Sequence, residues 1–306
     1  MSNIENKILE LKERKNIAII SSYSISNDIQ KISDFTGGLR KLYKYCDASN
    51  KRTFLYCGPD YLGNILSCLL PNKIFFKLEE NTQCNLTEYM TVSIEIKELR
   101  RLFPLAKIVS YYKSSLKMLY HSDYIVDDCN INYLFDMLKE ETKQLIFIPD
   151  YNLGYHINNL KKDKDIEIVV AHCFCNPLNN IRRENILNIK EKHPDTEIII
   201  HPETNYHLHN IADKILGYDD VYDYLSTCKK NKSVILCYIH SFIKKIKEDF
   251  PELEIHKPTS NLKCYLLRNI NYELFYNILD KLPYKFDISE NYKEDIRKKI
   301  LKFIKS

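Results

Sequence analysis

Three cysteines recur at nearly equal intervals along this 306-residue chain, each in the loop after a predicted strand. Cys84, Cys173 and Cys264 are 89 and 91 residues apart. This spacing indicates one ligand set supplied by three copies of one structural unit. Three thiolates suit either a zinc ion with an open fourth position or a 4Fe-4S cluster with one iron that lacks a protein ligand. Such an open iron is a Lewis acid that binds substrate oxygens and assists the loss of water.

The positions of the other seven cysteines give less indication of a chemical role. Cys175 is the alternative to Cys173, and the repeat interval favours Cys173 only slightly. The remaining six lie on predicted helices or strands, where a free cysteine is most often a small buried hydrophobe. These are Cys46, Cys57, Cys68, Cys129, Cys228 and Cys237.

The elements that position the three cysteines also repeat. Short apolar runs alternate with amphipathic stretches, which is typical of β-α units with parallel sheets. A period near ninety residues is too long for stacked repeats and favours small domains. Residues that follow the same interval include Asp34, Asp123 and Asp213, and the pairs Pro59-Asp60 and Pro149-Asp150.

The repeat predicts an α/β fold. We expect three similar β-α-β domains, each a three-layer α/β/α unit with a parallel sheet, around a pseudo-threefold axis. Ligands of open parallel sheets lie beyond the carboxyl ends of the strands, so three such edges would form one central site. The predicted segments are an N-terminal helix at 1–14, repeats at 15–104, 105–194 and 195–285, and a C-terminal helix at 286–306.

The composition of the chain indicates which kinds of partner it can bind. The chain is 44% hydrophobic and 28% charged, which is ordinary for a globular protein. Its net charge is only +4, and no basic block is interleaved with aromatic residues, so we expect no nucleic-acid partner. The start of the chain is a polar amphipathic helix, and no apolar run could span a bilayer. We expect a cytoplasmic monomer or homodimer with reduced cysteines and a small-molecule substrate and, if the three thiolates hold a 4Fe-4S cluster, Fe-S assembly proteins as partners.

The sequence resembles the quinolinate synthase family, which has three α/β domains around a 4Fe-4S cluster. The resemblance rests on the triplication, on AHC at 171–173, on IIIHPE at 198–203 and on PDYNLGYHI at 149–157, and it extends from about Ile17 to Leu282. The family condenses iminoaspartate with dihydroxyacetone phosphate, losing phosphate and two waters, to give quinolinate, a precursor of NAD. The resemblance implies that Cys84, Cys173 and Cys264 hold the cluster.

The resemblance also assigns active-site roles to Tyr111, His201 and Glu203. Tyr111 and His201 lie 90 residues apart at the ends of equivalent predicted strands, and two unlike polar groups at one repeated position indicate a shared cavity. His201 and Glu203 could act as a general acid/base and its partner, while Tyr111 could donate a proton to an oxygen on the open iron or orient that oxygen.

The chain departs from the family at positions that contact substrate. Tyr23 is the shifted equivalent of a tyrosine that follows a histidine in the family, and the histidine itself is missing. Other family residues are replaced by Gly37-Gly38-Leu39, by Lys113, by Asn176 and by Gly217-Tyr218-Asp219-Asp220. We expect substrate contacts from Tyr23, Lys113, Asp128 and Asn176.

Two classes of function follow from these departures. If Lys113 and Asp127-Asp128 enter the pocket, they imply a differently charged substrate; the alternative places them on solvated loops. The first class is an enzyme, either a divergent quinolinate synthase or a relative acting on another small molecule. The second class is a non-catalytic protein that retains the cluster or only the fold. Retention of the cysteines with Tyr111, His201 and Glu203 favours an enzyme.

Overall fold

A computed structural model of the chain describes residues 3–80, 82, 84, 86, 96–138, 142–161, 165–171, 173–264 and 270–304. The chain divides into two compact units. Unit 1 comprises residues 1–84 and 265–306, and unit 2 comprises residues 85–264. No helix within the described ranges is both long enough and apolar enough to cross a bilayer.

The described strands form three sheets. They are β1 (Ile17–Ser21), β2 (Phe35–Thr36), β3 (Thr53–Cys57), β4 (Ile74–Lys77), β5 (Lys107–Tyr111), β6 (Tyr124–Val126), β7 (Gln144–Ile148), β8 (Glu167–Val170), β9 (Glu197–Ile200), β10 (Lys214–Ile215), β11 (Ser233–Cys237), β12 (Glu254–His256) and β13 (Tyr284–Lys285). The sheet of unit 1 has the order β13-β4-β3-β1-β2, and unit 2 has the sheets β8-β7-β5-β6 and β12-β11-β9-β10. Apart from β13, the three sheets have the same strand order.

The helices lie between successive strands. They are α1 (Asn3–Arg14), α2 (Asn27–Ile32), α3 (Leu39–Ala48), α4 (Asp60–Leu69), α5 (Ile96–Leu102), α6 (Leu116–His121), α7 (Leu134–Leu138), α8 (Tyr151–Leu160), α9 (Asn176–Asn179), α10 (Arg183–Lys192), α11 (Tyr218–Ser226), α12 (His240–Asp249), α13 (Tyr272–Lys281) and α14 (Glu290–Ile304). Short 3-10 helices cover Ile131–Tyr133 and Tyr206–Ile211.

The pairing of the strands confirms the predicted fold class. Pairing is parallel throughout the described sheets except between β13 and β4. The central strands are buried along most of their length, as in the all-buried β1, because helices cover both faces of a parallel sheet. The fold is therefore α/β with three parallel-dominated sheets. The pseudo-threefold axis and the boundaries of the repeats stay predictions.

A repeated aspartate fastens the first strand of each sheet. In each sheet the second strand pairs only with the last residues of the first strand, so one earlier backbone amide has no strand partner on that side. The aspartate carboxylate accepts a hydrogen bond from that amide. The three contacts are Ile19 N to Asp34 Oδ2 at 2.8 Å, Ile108 N to Asp123 Oδ2 at 2.7 Å and Ile198 N to Asp213 Oδ2 at 2.7 Å. The 89- and 90-residue intervals of these aspartates thus have a structural cause.

The last part of the chain packs with unit 1. Helix α13 and strand β13 fall within the predicted third repeat, but α13 packs on α1 and β13 pairs antiparallel with β4. Helix α14 packs on α4. Helix α4 also faces Phe286, which precedes α14, and a Cβ at Gly63 would lie 2.2 Å from that ring. The repeat interval contains no signal for this return, because it does not show which surface a helix covers.

Candidate active site

Four polar side chains follow the carboxyl ends of two strands in unit 2. Strand β5 ends at Tyr111, with Lys113 two residues later, and β9 is followed by His201 and Glu203. Tyr111 and His201 are fully buried, and Lys113 and Glu203 are nearly so. Because the carboxyl ends of parallel strands are where such folds place their ligands, these four residues define the candidate site.

The Glu203 carboxylate joins the two sheets of unit 2. Its Oε1 accepts a hydrogen bond from the Tyr111 hydroxyl at 2.7 Å and another from the Lys113 ammonium. Burial alone would raise the pKa of Glu203, but Lys113, His201 and the two hydrogen bonds lower it below its ordinary value. Glu203 is therefore an ionised carboxylate inside the protein, and each of its two partners can also serve a substrate anion.

Lys113 and Tyr111 keep their protons in this setting. Burial lowers the pKa of Lys113, but the nearby Glu203 carboxylate outweighs burial and raises it. The pKa of Tyr111 is raised well above its usual value by burial first and by Glu203 second. The Lys113 Nζ also lies 5.4 Å from the ring centroids of both Tyr111 and Tyr218. The site thus presents one ammonium and one phenol as donors.

His201 is held by Asp128 and not by the Glu203 side chain. His201 Nε2 lies 3.2 Å from Asp128 Oδ2, while His201 Nδ1 accepts a hydrogen bond from the Glu203 backbone N–H at 3.2 Å. The second contact places the imidazole proton on Nε2, where it is donated to Asp128. The prediction that Glu203 is the carboxylate partner of His201 is therefore wrong, because Lys113 and Tyr111 occupy that carboxylate.

Asp128 enters the site because a glycine faces it. A Cβ at Gly217 would lie 2.9 Å from the Asp128 Cγ, so this position needs glycine for close approach. The Tyr218 backbone N–H, at the start of α11, donates to Asp128 Oδ2 at 3.3 Å. Burial raises the pKa of Asp128, but His201 and Lys113 outweigh burial and lower it. Lys113 and Asp128 are both buried and do not lie on solvated loops.

The neighbouring Asp127 has a structural role. Its carboxylate accepts hydrogen bonds from the backbone N–H groups of Cys129 at 3.0 Å and Asn130 at 2.7 Å. Its own backbone N–H donates to Asn130 Oδ1 at 2.8 Å. These contacts form the turn that carries Asp128 into the site. Asp127 itself is buried and does not lie on a solvated loop.

Residues of the segment PDYNLGYHI support the site from helix α8. Asn152 Nδ2 donates to the Glu203 carbonyl at 3.2 Å, and Asn152 Oδ1 accepts from the Tyr206 backbone N–H at 3.2 Å. Asp150 is fully buried and caps α8 by accepting from Leu153 N at 2.8 Å. The segment was recognisable in the sequence only as a family motif, and no role was predicted for Asn152. Its place within that motif was the signal that could have identified it.

Asp150 also connects the site to the second cysteine loop. Asp150 and Cys173 form an isolated parallel β-bridge, and the Tyr151 backbone N–H donates to the Cys173 carbonyl at 2.6 Å. Burial first and the neighbouring Asp150 second raise the pKa of the Cys173 thiol to about 11. Cys173 therefore lies at the sheet edge that carries the polar network.

Burial does not separate the candidate ligands from the other cysteines, since Cys129 and Cys228 are half-buried like Cys84 and Cys264. All ten cysteines are thiols, and Cys46, Cys57, Cys68 and Cys237 are completely buried, as expected for packing residues. Cys84 and Cys264 are half-buried, and Cys173 is buried in its loop. Cys84 belongs to unit 1, whereas Cys173 and Cys264 belong to unit 2. Cys175 is also half-buried, and it stays the alternative to Cys173.

The two remaining predicted substrate contacts are Tyr23 in unit 1 and Asn176 in unit 2. Tyr23 is buried in unit 1, and its carbonyl accepts a hydrogen bond from Gln30 Nε2 at 3.3 Å. Asn176 is exposed as the first residue of helix α9. Their contact with substrate stays a prediction. His172, in the AHC segment, lies outside the described residues.

Comparison with known proteins gives one family model and several relatives of the same description. The family model described as "Quinolinate synthetase A protein" matches residues 6–305. The chain is 26% identical over 304 residues to a quinolinate synthase of Caldicellulosiruptor saccharolyticus, covering 99% of this chain and 98% of that protein. It is 25% identical over 276 residues to one of Clostridioides difficile, covering 90% and 89% of the two chains, and 28% identical over 250 residues to one of a Sulfurihydrogenibium species, covering 80% of each. Because the family model matches nearly its whole length, the chain belongs to the quinolinate synthetase A family.

Proposed function

We propose that the chain is a quinolinate synthase-like 4Fe-4S enzyme of NAD biosynthesis that condenses and dehydrates small carboxylated substrates. The observation that carries this proposal is the buried set Tyr111, Glu203 and His201 at the carboxyl ends of β5 and β9, in a chain of this family. The relatives are quinolinate synthases, so iminoaspartate and dihydroxyacetone phosphate are the first substrates to test. The proposal implies a cytoplasmic protein.

The cysteines present fit a 4Fe-4S cluster by the chemistry of their donor set. Each of Cys84, Cys173 and Cys264 is a thiol in a loop that follows the last parallel strand of a sheet. Soft thiolates are the ligands that iron-sulfur clusters take, and three of them leave one iron open. When bound, the cluster supplies a Lewis acid for substrate oxygens.

The protein's own residues provide the proton chemistry. Tyr111 Oη and Lys113 Nζ both donate to Glu203, and either donor can turn to a substrate carboxylate or phosphate oxygen. Glu203 Oε1 then becomes free to take a proton from a bound substrate. His201 keeps its Nε2 proton toward Asp128, so its Nδ1 is the nitrogen that can accept a proton if the Glu203 backbone N–H moves away.

The test is anaerobic purification, iron reconstitution and an assay with iminoaspartate and dihydroxyacetone phosphate. We expect about four irons and four sulfides per chain. His201→Ala and Glu203→Ala should each lower turnover without removing iron. Stoichiometric zinc without iron after anaerobic reconstitution would instead support the zinc alternative and overturn the cluster.

A paralogue acting on another small molecule is the second candidate function. It is favoured by the Lys113 and Asp128 charges, which lie inside the network and pair with Glu203 and His201. In this case quinolinate formation should be lower than in the family by the roughly 10² to 10⁴ that a positioned acid or base contributes. Quinolinate formation at the rate of the relatives would rule out this second function and leave plain quinolinate synthase.

A further inference from the structure

Two histidines and one glutamate meet at the amino-terminal edge of the third sheet. His193 follows helix α10 just before β9, and Glu254 and His256 are the first and last residues of β12. His201 and Glu203 follow the other end of β9. Since the strands of this sheet are parallel, the cluster of His193, Glu254 and His256 is at the edge opposite the candidate active site.

The distances within this cluster suit a small divalent ion. Glu254 Oε1 lies 3.1 Å from His256 Nε2 and 3.4 Å from His193 Nδ1. The three atoms all lie within 4.8 Å of one another. Bonds of about 2.0 to 2.2 Å in a tetrahedral zinc site place neighbouring ligand atoms about 3.3 Å apart. Two of the three separations already have about this value, and the two imidazole nitrogens lie within 4.8 Å of each other.

The cluster is open to an ion from solvent. The side chains of His193 and Glu254 are 42% and 51% exposed, while that of His256 is 19% exposed. Ser233 Oγ, 3.1 Å from His256 Nε2, is the neighbouring hydroxyl on β11.

The second sheet provides an internal comparison. Glu254 pairs in register with Ser233, as Glu167 pairs with Gln144 in the second sheet. By the same register His256 corresponds to Val169. His193 corresponds to Phe103 by the 90-residue interval. The carboxylate is therefore common to both copies, whereas two imidazoles replace hydrocarbon side chains in the third copy only.

We propose that His193 Nδ1, Glu254 Oε1 and His256 Nε2 form a binding site for a zinc-class divalent transition metal, with water in the remaining positions. Two imidazoles and one carboxylate are a donor set that zinc takes in sites with an open position. Imidazole ligands suit zinc, copper and nickel, whereas magnesium and calcium require oxygen ligands. This site is independent of the proposed cluster. A bound ion would link the end of α10 to strand β12.

The test compares zinc binding by the full chain and by the variant His193→Phe/His256→Val, which installs the residues of the second copy. Both proteins keep all cysteines, so zinc on thiols is common to them. Equilibrium dialysis with elemental analysis should show one more zinc per chain in the unsubstituted protein. In a cobalt titration, the difference spectrum should contain no thiolate-to-cobalt charge-transfer band.

Single variants provide the controls. Glu254→Gln should weaken zinc binding at this site by at least the roughly 10- to 100-fold that loss of a ligand's hydrogen-bond partner costs. Glu167→Gln, the matched change in the second sheet, should leave binding unchanged. Glu254 is half exposed, so its variant keeps the test valid if the double variant unfolds. Equal zinc content in the unsubstituted protein and Glu254→Gln, or equal competition by magnesium, would overturn the proposal.

Discussion

At the scale of single residues, the site is a set of paired ionisable groups. Lys113 with Glu203 and His201 with Asp128 each satisfy a group that would be costly to bury alone. The 90-residue interval predicted Tyr111 and His201 at equivalent strand ends, whereas Glu203 was predicted from the family resemblance. It did not predict which carboxylate holds His201, because that depends on how close the loop at Gly217 approaches Asp128.

Removing the Lys113 ammonium should lower the stability of the protein, because Glu203 would stay buried. Lys113→Met leaves the carboxylate without its cation, so we expect unfolding free energy at pH 7 to fall by about 3–5 kcal/mol. The folded pKa of Glu203 is lowered below 4.5, so its ionised form stabilises the protein above pH 4.5, and this stabilisation is lost as pH falls through the lower folded value. Without Lys113, burial raises this pKa, and the loss of stability should shrink as pH falls from 7 toward 5.

Urea unfolding at several pH values measures this effect. The double variant Lys113→Met/Glu203→Gln should recover part of the loss at pH 7, because a neutral amide replaces the unpaired carboxylate. If Lys113→Met is as stable as the unsubstituted protein at pH 7, the buried ion pair does not exist in solution.

Asp128 should act on turnover through His201. Asp128→Asn replaces the carboxylate at Nε2 by an amide, so the orientation and tautomer of the imidazole are no longer fixed. We expect kcat to fall by up to the roughly 10² to 10⁴ that a positioned acid or base contributes, with unchanged KM and iron content. Asp223→Asn, an exposed change on α11, is the control. An unchanged kcat would mean that Asp128 does not position His201.

At the scale of elements, the repeat in the sequence corresponds to a repeated strand order. The parallel β-α units were predictable, because apolar runs near Ile17, Leu145 and Ile198 alternate with amphipathic helices, whereas the strand order was not predicted. The return of α13 and β13 to unit 1 was not predictable, since it follows from packing against α1 and β4. Local periodicity contains no information on which distant surface an amphipathic helix covers.

The repeated aspartates should contribute similar stability in each sheet. Asp34→Ala, Asp123→Ala and Asp213→Ala each remove a charged acceptor from a backbone amide of the first strand. A hydrogen bond to a charged group contributes about 1.5–3 kcal/mol, so each variant should lose about this unfolding free energy in urea. Asp195→Ala, an exposed change before β9, should stay within about 0.5 kcal/mol. Losses confined to one of the three variants would contradict a common role.

At the scale of the whole molecule, the three cysteine loops show what a repeat can and cannot predict. Each loop follows the last parallel strand of its own sheet, as the interval predicts. The interval alone does not distinguish candidate ligands from packing cysteines. Cys57 and Cys237 occupy matching ends of β3 and β11, yet both are fully buried and lie on strands. A repeated position therefore indicates chemistry only when it also lies in a loop at the strands' carboxyl ends.

The cluster ligands should be distinguishable by substitution. Cys84→Ser, Cys173→Ser and Cys264→Ser should each abolish the cluster, because a hydroxyl is a harder and less acidic ligand than a thiol. Iron and sulfide content after anaerobic reconstitution measures the result. Cys68→Ala, a change at a completely buried packing cysteine, should keep about four irons per chain, as a cluster with three protein ligands requires. If Cys173→Ser retains the cluster and Cys175→Ser loses it, Cys175 is the second ligand; if Cys84→Ser retains it, the ligand set drawn from the repeat is wrong.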